Sequence, residues 1–196
     1  MRIITPLEAG KIYHIYNRGV NSTDIFKEKR NYHYFLKKYG EYCPPVLETF
    51  CYALLKNHFH FLVKIKEKVV VQRKDGKGTI ELNASRQLSH FFNCYAQSFN
   101  KAYDRHGKLL EEPFRRKEIA DDNHFTNLIY YLHFNPQLHG FVKDFRDWEF
   151  TSWHCLLDNK ECFLEKNQIF EWFGGRDQFI KAHKGNTPAI SHNDFD

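Results

Sequence analysis

At 196 residues, with 42% hydrophobic and 17% aromatic side chains, the chain can bury a full core, which excludes a disordered or fibrous protein. A formal charge of +5 and a pI near 8.8 favour a polyanionic partner and exclude a strongly acidic surface. Five cysteines without C-x-x-C spacing exclude a disulfide scaffold or a zinc ribbon and fit a reducing compartment, with Cys51 and Cys94 read as small buried hydrophobes. The first residues carry no signal-peptide pattern and no apolar run approaches a membrane span, so a soluble cytoplasmic protein is expected.

In chain order, the alternation over residues 11–17 predicts a first strand, with His14 read as an edge histidine, or else an extra ligand, and Arg18-Gly19-Val20-Asn21 as the turn. Tyr32, Phe35, Leu36 and Tyr39 recur at helical spacing, predicting a helix over 29–42 that Pro44-Pro45 stops. Residues 48–55 and 58–66 read as strands joined at Lys56-Asn57, and Val69 to Leu82 as a hairpin around Asp75-Gly76. Asn83 caps a helix to about Asp104 whose apolar positions Leu88, Phe91, Phe92, Tyr95, Phe99 and Tyr103 belong to the core. A short strand over 114–120 carries Arg115, Arg116 and Lys117 as a basic stripe near a sheet edge. The next helix is capped by Asp121 or Asp122 and ends at Asn135, because proline disfavours helical geometry in the residue before it. That places the Asn135 carboxamide at the mouth of the helix, with Tyr131 beside it on the flank of the apolar face and Tyr130 on the far side.

This order predicts an α+β, ferredoxin-like antiparallel sheet with helices packed on one face. Residues 1–145 form the main domain, 146–184 a small aromatic and helical C-terminal appendage, and 185–196 a disordered tail. The chemistry centres on Asn57-His58-Phe59-His60-Phe61-Leu62-Val63. Side chains alternate along a strand, so His58 and His60 share one face while Phe59, Phe61 and Val63 anchor the other in the core. Two imidazoles on one face are half of a divalent-metal site, although an isolated His-x-His more often makes ordinary hydrogen bonds.

The set Tyr13-His14-x-x-Asn17-Arg18-Gly19, Asn57-His58-Phe59-His60, Phe99-Asn100-Lys101, Gly107-Lys108-Leu109-Leu110 and Tyr131-Leu132-His133-Phe134-Asn135-Pro136 resembles the single-tyrosine HUH transposases. Trp148-Glu149-Phe150-Thr151-Ser152 is similar to a stretch that follows this domain in the REP-associated tyrosine transposase branch. The resemblance implies a metal, Mg2+ or Mn2+, held by His58 and His60 with Asn135 as third ligand, and Tyr131 as the attacking hydroxyl. It further implies cleavage and transfer of single-stranded or hairpin DNA through a 5′-phosphotyrosine, by a monomer or homodimer, with no nucleotide cofactor and no membrane. Arg18, Lys64, Lys66, Arg73, Lys74, Lys77, Arg115, Arg116 and Lys117 are the cations expected to meet the phosphate backbone. Two rivals remain: a domesticated, non-catalytic nucleic-acid binder or regulator of the same fold, and a small metal-dependent hydrolase, which lacks a carboxylate base near either histidine.

Overall fold

The computed structural model describes residues 5–73 and 76–185. Lys74, Asp75 and the residues 186–196 read as a tail lie outside them. Four strands, β1 (Ile12–Arg18), β2 (Leu47–Leu54), β3 (His58–Ile65) and β6 (Arg115–Ile119), form one antiparallel sheet in the order β2-β3-β1-β6. The strands β4 (Val69–Gln72) and β5 (Thr79–Leu82) pair as a separate hairpin. The helices α1 (Lys29–Tyr42) and α2 (Ala84–Ala102) lie on one face of the large sheet, which is the ferredoxin-like arrangement.

That face is aromatic because β3 presents every second residue to it. Phe35 of α1 reaches Phe59 and Phe61 at ring distances of 5.0 and 6.2 Å, Tyr39 stacks on Phe61 at 4.2 Å, and Phe92 of α2 meets Phe59 at 5.3 Å. Both helices start on side-chain caps. Glu28 and Asn31 satisfy each other's backbone N–H groups, and Asn83 accepts from the Arg86 N–H.

A third helix, α3 (Asp122–Leu138), packs on the opposite face over β2 and β3, so the sheet is covered on both sides there. This helix does not end at Asn135. Pro136 lies inside it, near its C-terminus, where a missing N–H costs one helical bond. The last turn is held by Asn135 O accepting from His139 N and Pro136 O from Phe141 N. The Asn135 carboxamide is therefore buried along the helix rather than standing at its mouth. His14 also departs from expectation: β1 lies between β3 and β6, so His14 is on a central strand and fully buried. Cys51 is buried as expected, whereas Cys94 is half-buried.

The appendage joins the same core. Its helices are α4 (Ser152–Leu157), α5 (Lys166–Trp172) and α6 (Arg176–Gly185), and Trp153, Leu156, Ile169 and Phe179 are buried in the main cluster. A buried hydrogen-bond chain ties it to α3. The His183 Nδ1–H donates to Phe179 O at 2.8 Å, so His183 Nε2 accepts from His133 Nδ1–H at 2.9 Å. His133 Nε2 in turn accepts from the Ser152 hydroxyl at 2.9 Å. Both imidazoles must be neutral for this polarity to hold, and burial pushes His183 from 6.5 down to about 4 and His133 well below its ordinary range. A histidine depressed in the folded state stabilises it fully above pH 6.5, and that contribution drains away as pH falls through about 4. His183 alone should account for on the order of 3 kcal/mol between those limits. The expected result is a urea midpoint that is level above pH 7 and falls below 6.5, with a shallower fall in His183→Gln; an identical fall in the variant would refute the assignment.

Candidate active site

The site lies on the α3 side of the sheet. Strand register puts Arg18 opposite His58, Tyr16 opposite His60, and Arg115 opposite Tyr16, so these five side chains share that face. His58 and His60 rings stand 5.1 Å apart and nearly perpendicular. The loop after β1 closes one end through Gly19 N–H donating to Asn57 O at 2.8 Å. A Cβ at Gly19 would lie 2.0 Å from Thr23 O, so no larger residue fits that turn.

Each histidine has one nitrogen committed to the protein. The His58 Nδ1–H donates to Asn57 Oδ1 at 2.7 Å, and His60 Nδ1 shares a 2.9 Å bond with Nε2 of the stacked His14 ring. Nε2 is thus the nitrogen that each imidazole would offer to a metal, with Asn57 and His14 bonded to the other ring nitrogen. Burial first, and neighbouring histidines second, hold His60 well below its usual range; burial and the Lys117 charge hold His14 at about 3. Both shifts favour the neutral imidazole.

Helix α3 lays one stripe against these histidines. Tyr131 meets His60 edge-on at 5.8 Å, and His139 meets His58 at 5.0 Å. Asn135 is one helical turn from each and so falls between them on the same stripe. It is fully buried, yet among the described residues neither Oδ1 nor Nδ2 has a hydrogen-bond partner. An orphaned buried amide is costly, and a bound ligand would satisfy it. Two imidazoles with one amide oxygen are a donor set that fits Mg2+ or Mn2+ with positions left for phosphate oxygen. The residues present therefore fit the implied metal.

Tyr130 points instead into the appendage, against His183 at 4.8 Å and Phe173 at 5.8 Å. Tyr131 is 0% exposed, so it lies in the seam between α3 and the sheet rather than on a flank. His139 was not singled out from the sequence, although it continues the four-residue step from Tyr131 through Asn135. Beside the seam lies a cleft of about 220 Å3 lined by Tyr16, Arg18, His58, His60, Arg115 and His139.

The expected DNA cations do not all gather here. Arg18 and Arg115 line the cleft, both braced by Glu111 at 3.8 and 3.1 Å. Arg116 points to the α2 side, and Lys117 to the α3 side beside His14, so strand alternation splits the stripe between two faces. Lys64 pairs with Glu48 at 3.3 Å, six residues along β3 from His58, or roughly 20 Å at a strand's rise. Lys66 follows the end of β3, Arg73 and Lys77 lie in the turn between β4 and β5, none of the three lines the cleft, and Lys74 lies outside the described residues. Among the described residues no helix is long and apolar enough to cross a membrane.

No family model matches the chain. It is 27% identical over 165 residues, 82% of its length and 83% of the other, to a Haemophilus influenzae protein provisionally named a REP-associated tyrosine transposase. A solved structure of a REP-associated tyrosine transposase bound to a REP hairpin matches with a TM-score of 0.56 at 14% identity, over 79% of this chain and 84% of that one. In sequence the chain is thus similar to a protein named for the REP-associated tyrosine transposases, and in fold it is similar to a solved member of that group, the branch that its own motifs resemble.

Proposed function

We propose that this chain cleaves and rejoins single-stranded DNA at hairpins, with Tyr131 as nucleophile and His58, His60 and Asn135 holding Mg2+ or Mn2+. The observation that carries the reading is the α3 stripe, which lays Tyr131 on His60 and His139 on His58 with an unpartnered buried Asn135 between them. When bound, the metal would supply Lewis-acid polarisation of a non-bridging phosphate oxygen. Arg18 and Arg115 seat the phosphate at the cleft, and Glu111 holds both guanidinium groups in place. The Tyr131 oxygen forms the new bond to phosphorus, the bond from phosphorus to the 3′ oxygen breaks, and the phenolic proton ends on the released 3′-hydroxyl. Reversal with a different 3′-hydroxyl joins strands, and the phosphotyrosine conserves the bond energy, so no nucleotide is needed. Tyr131 is enclosed in the structure, so attack requires its ring to leave the seam or α3 to shift. Hairpin DNA as partner is supported by the structural neighbour, which is bound to a REP hairpin.

The same enclosure favours a second reading, a binder of the same fold in which Tyr131 never emerges. Incubating the full chain with hairpin DNA and Mn2+ separates them. A DNA-linked species that survives denaturing electrophoresis supports the enzyme, and its absence with every hairpin, despite binding, supports the binder.

Both readings share one expectation. Affinity should fall with added salt as phosphate contacts release counterions, and Arg115→Ala should reduce the log-log slope by about 0.7, the contribution of one single-strand contact. Fluorescence anisotropy across a salt series measures it, and a salt-independent affinity would refute both.

A further inference from the structure

The appendage carries a pair of cysteines that the DNA chemistry does not use, and neither lines the His58 cleft. Cys155 is in the last turn of α4, and Cys162 follows the turn after it, just before Leu164 pairs with Thr49 of β2. Both are half-buried against the core, and their thiols are hydrogen-bonded to each other. Cys162 Sγ also accepts from the Leu164 N–H and from the Lys166 ammonium. Lys166, at the start of α5, is fixed there by Asp158 O and Lys160 O, each 2.7 Å from its Nζ. The buried Tyr52 of β2 and Asp158, at the end of α4, also face the pair.

These contacts sort the two sulfurs. A thiolate on Cys162 is met by the Cys155 S–H first, then by an N–H and an ammonium, and together they outweigh burial and pull the Cys162 thiol down to about 6. Cys155 is the donor of the shared bond, and that bond and burial hold its thiol far above the usual range. The pair is therefore one thiolate and one thiol at neutral pH. A surface cleft of about 560 Å3, lined by Cys162 with Leu156, Lys160, Lys166, Phe170 and Arg176, lets a small solute reach the thiolate. Cys43 and Cys51 are the contrast: burial pushes both thiols up, and a buried neutral thiol is inert.

We infer that Cys162 and Cys155 form a peroxide-reactive pair, in which Cys162 takes the oxidant and Cys155 resolves it to a disulfide tying the end of α4 to the segment that enters α5. The Cys162 thiolate attacks one peroxide oxygen, the O–O bond breaks, and the leaving hydroxide takes up a proton as water, which leaves a sulfenic acid. The Cys155 sulfur then attacks Cys162, the S–S bond forms, the S–O bond breaks, and the second hydroxide departs as water with the Cys155 proton. Peroxide gains the two electrons that the thiols lose. Such bonds form transiently in reducing compartments. The full chain would be treated with dilute hydrogen peroxide, its remaining thiols alkylated after denaturation, and its peptides mapped without reduction. The wild type should yield one peptide pair linked through Cys155 and Cys162, with Cys43, Cys51 and Cys94 alkylated. Cys155→Ser should stop at a sulfenic acid on Cys162 that dimedone captures, and Cys162→Ser should form neither product. Without peroxide, iodoacetamide labelling of Cys162 in the wild type should rise with a midpoint at a pH of about 6. An unlinked pair after peroxide, a disulfide from Cys162 to another cysteine, or a labelling midpoint at the ordinary thiol value of about 8.5 would overturn the assignment.

Discussion

Tyr131→Phe should abolish the covalent DNA adduct while leaving hairpin binding and Mn2+ binding within about twofold of wild type. The variant removes one oxygen from a ring that is fully buried against His60, so the hydrocarbon packing is unchanged. Loss of a buried hydroxyl costs about 1 kcal/mol of stability, too little to unfold the chain. The chemical loss is far larger, because no phosphotyrosine can form without the phenolic oxygen; deletions of a nucleophile lower rates by about 10⁴-fold or more. Peptide mapping of the DNA-linked residue is the decisive measurement. Tyr130 is the control, since its ring packs against His183 and Phe173, away from the histidine pair. An adduct mapped to Tyr130, or one persisting undiminished in Tyr131→Phe, would refute the assignment.

The sheet and its first two helices were legible because each rests on a local signal. The apolar spacing and the proline pair bounded α1 at Lys29–Tyr42, and Asn83 announced α2. His58 and His60 share a face because alternation is a property of any strand, whatever its neighbours. What could not be read depends on neighbours. Strand order is a long-range outcome, so His14 looked like an edge residue although β1 is central, and its bond to His60 was invisible. The position of α3 across the sheet from α1 and α2 depends on packing with the appendage, including the chain from Ser152 through His133 to His183. Pro136 misled because a proline in the final helical turn forfeits a single bond, whereas one in mid-helix kinks or breaks it. Lys64 opens a run dense in cations, but strand length carries it away from the cleft, and Arg18 and Arg115, far apart in sequence, both line it.

The second large effect is expected at the histidines. His58→Ala should eliminate DNA cleavage and weaken Mn2+ binding below detection by calorimetry, with hairpin affinity retained through Arg18 and Arg115. His58 is the better probe of the pair because it is half-buried and its Nδ1 bonds to its chain neighbour Asn57. His60→Ala would leave a cavity and deprive the buried His14 ring of its 2.9 Å partner, so lost activity there would mix chemistry with a destabilisation of about 2–4 kcal/mol. Asn57→Ala offers a graded test. It keeps both imidazoles but removes the acceptor that orients His58, and loss of such an outer partner typically weakens metal affinity by about 10- to 100-fold. Excess Mn2+ should then restore cleavage in Asn57→Ala and fail to do so in His58→Ala. A chelator-treated wild-type protein that forms the adduct at the untreated rate, or a His58→Ala/His60→Ala double variant that still cleaves with metal dependence, would show that these imidazoles hold no catalytic ion.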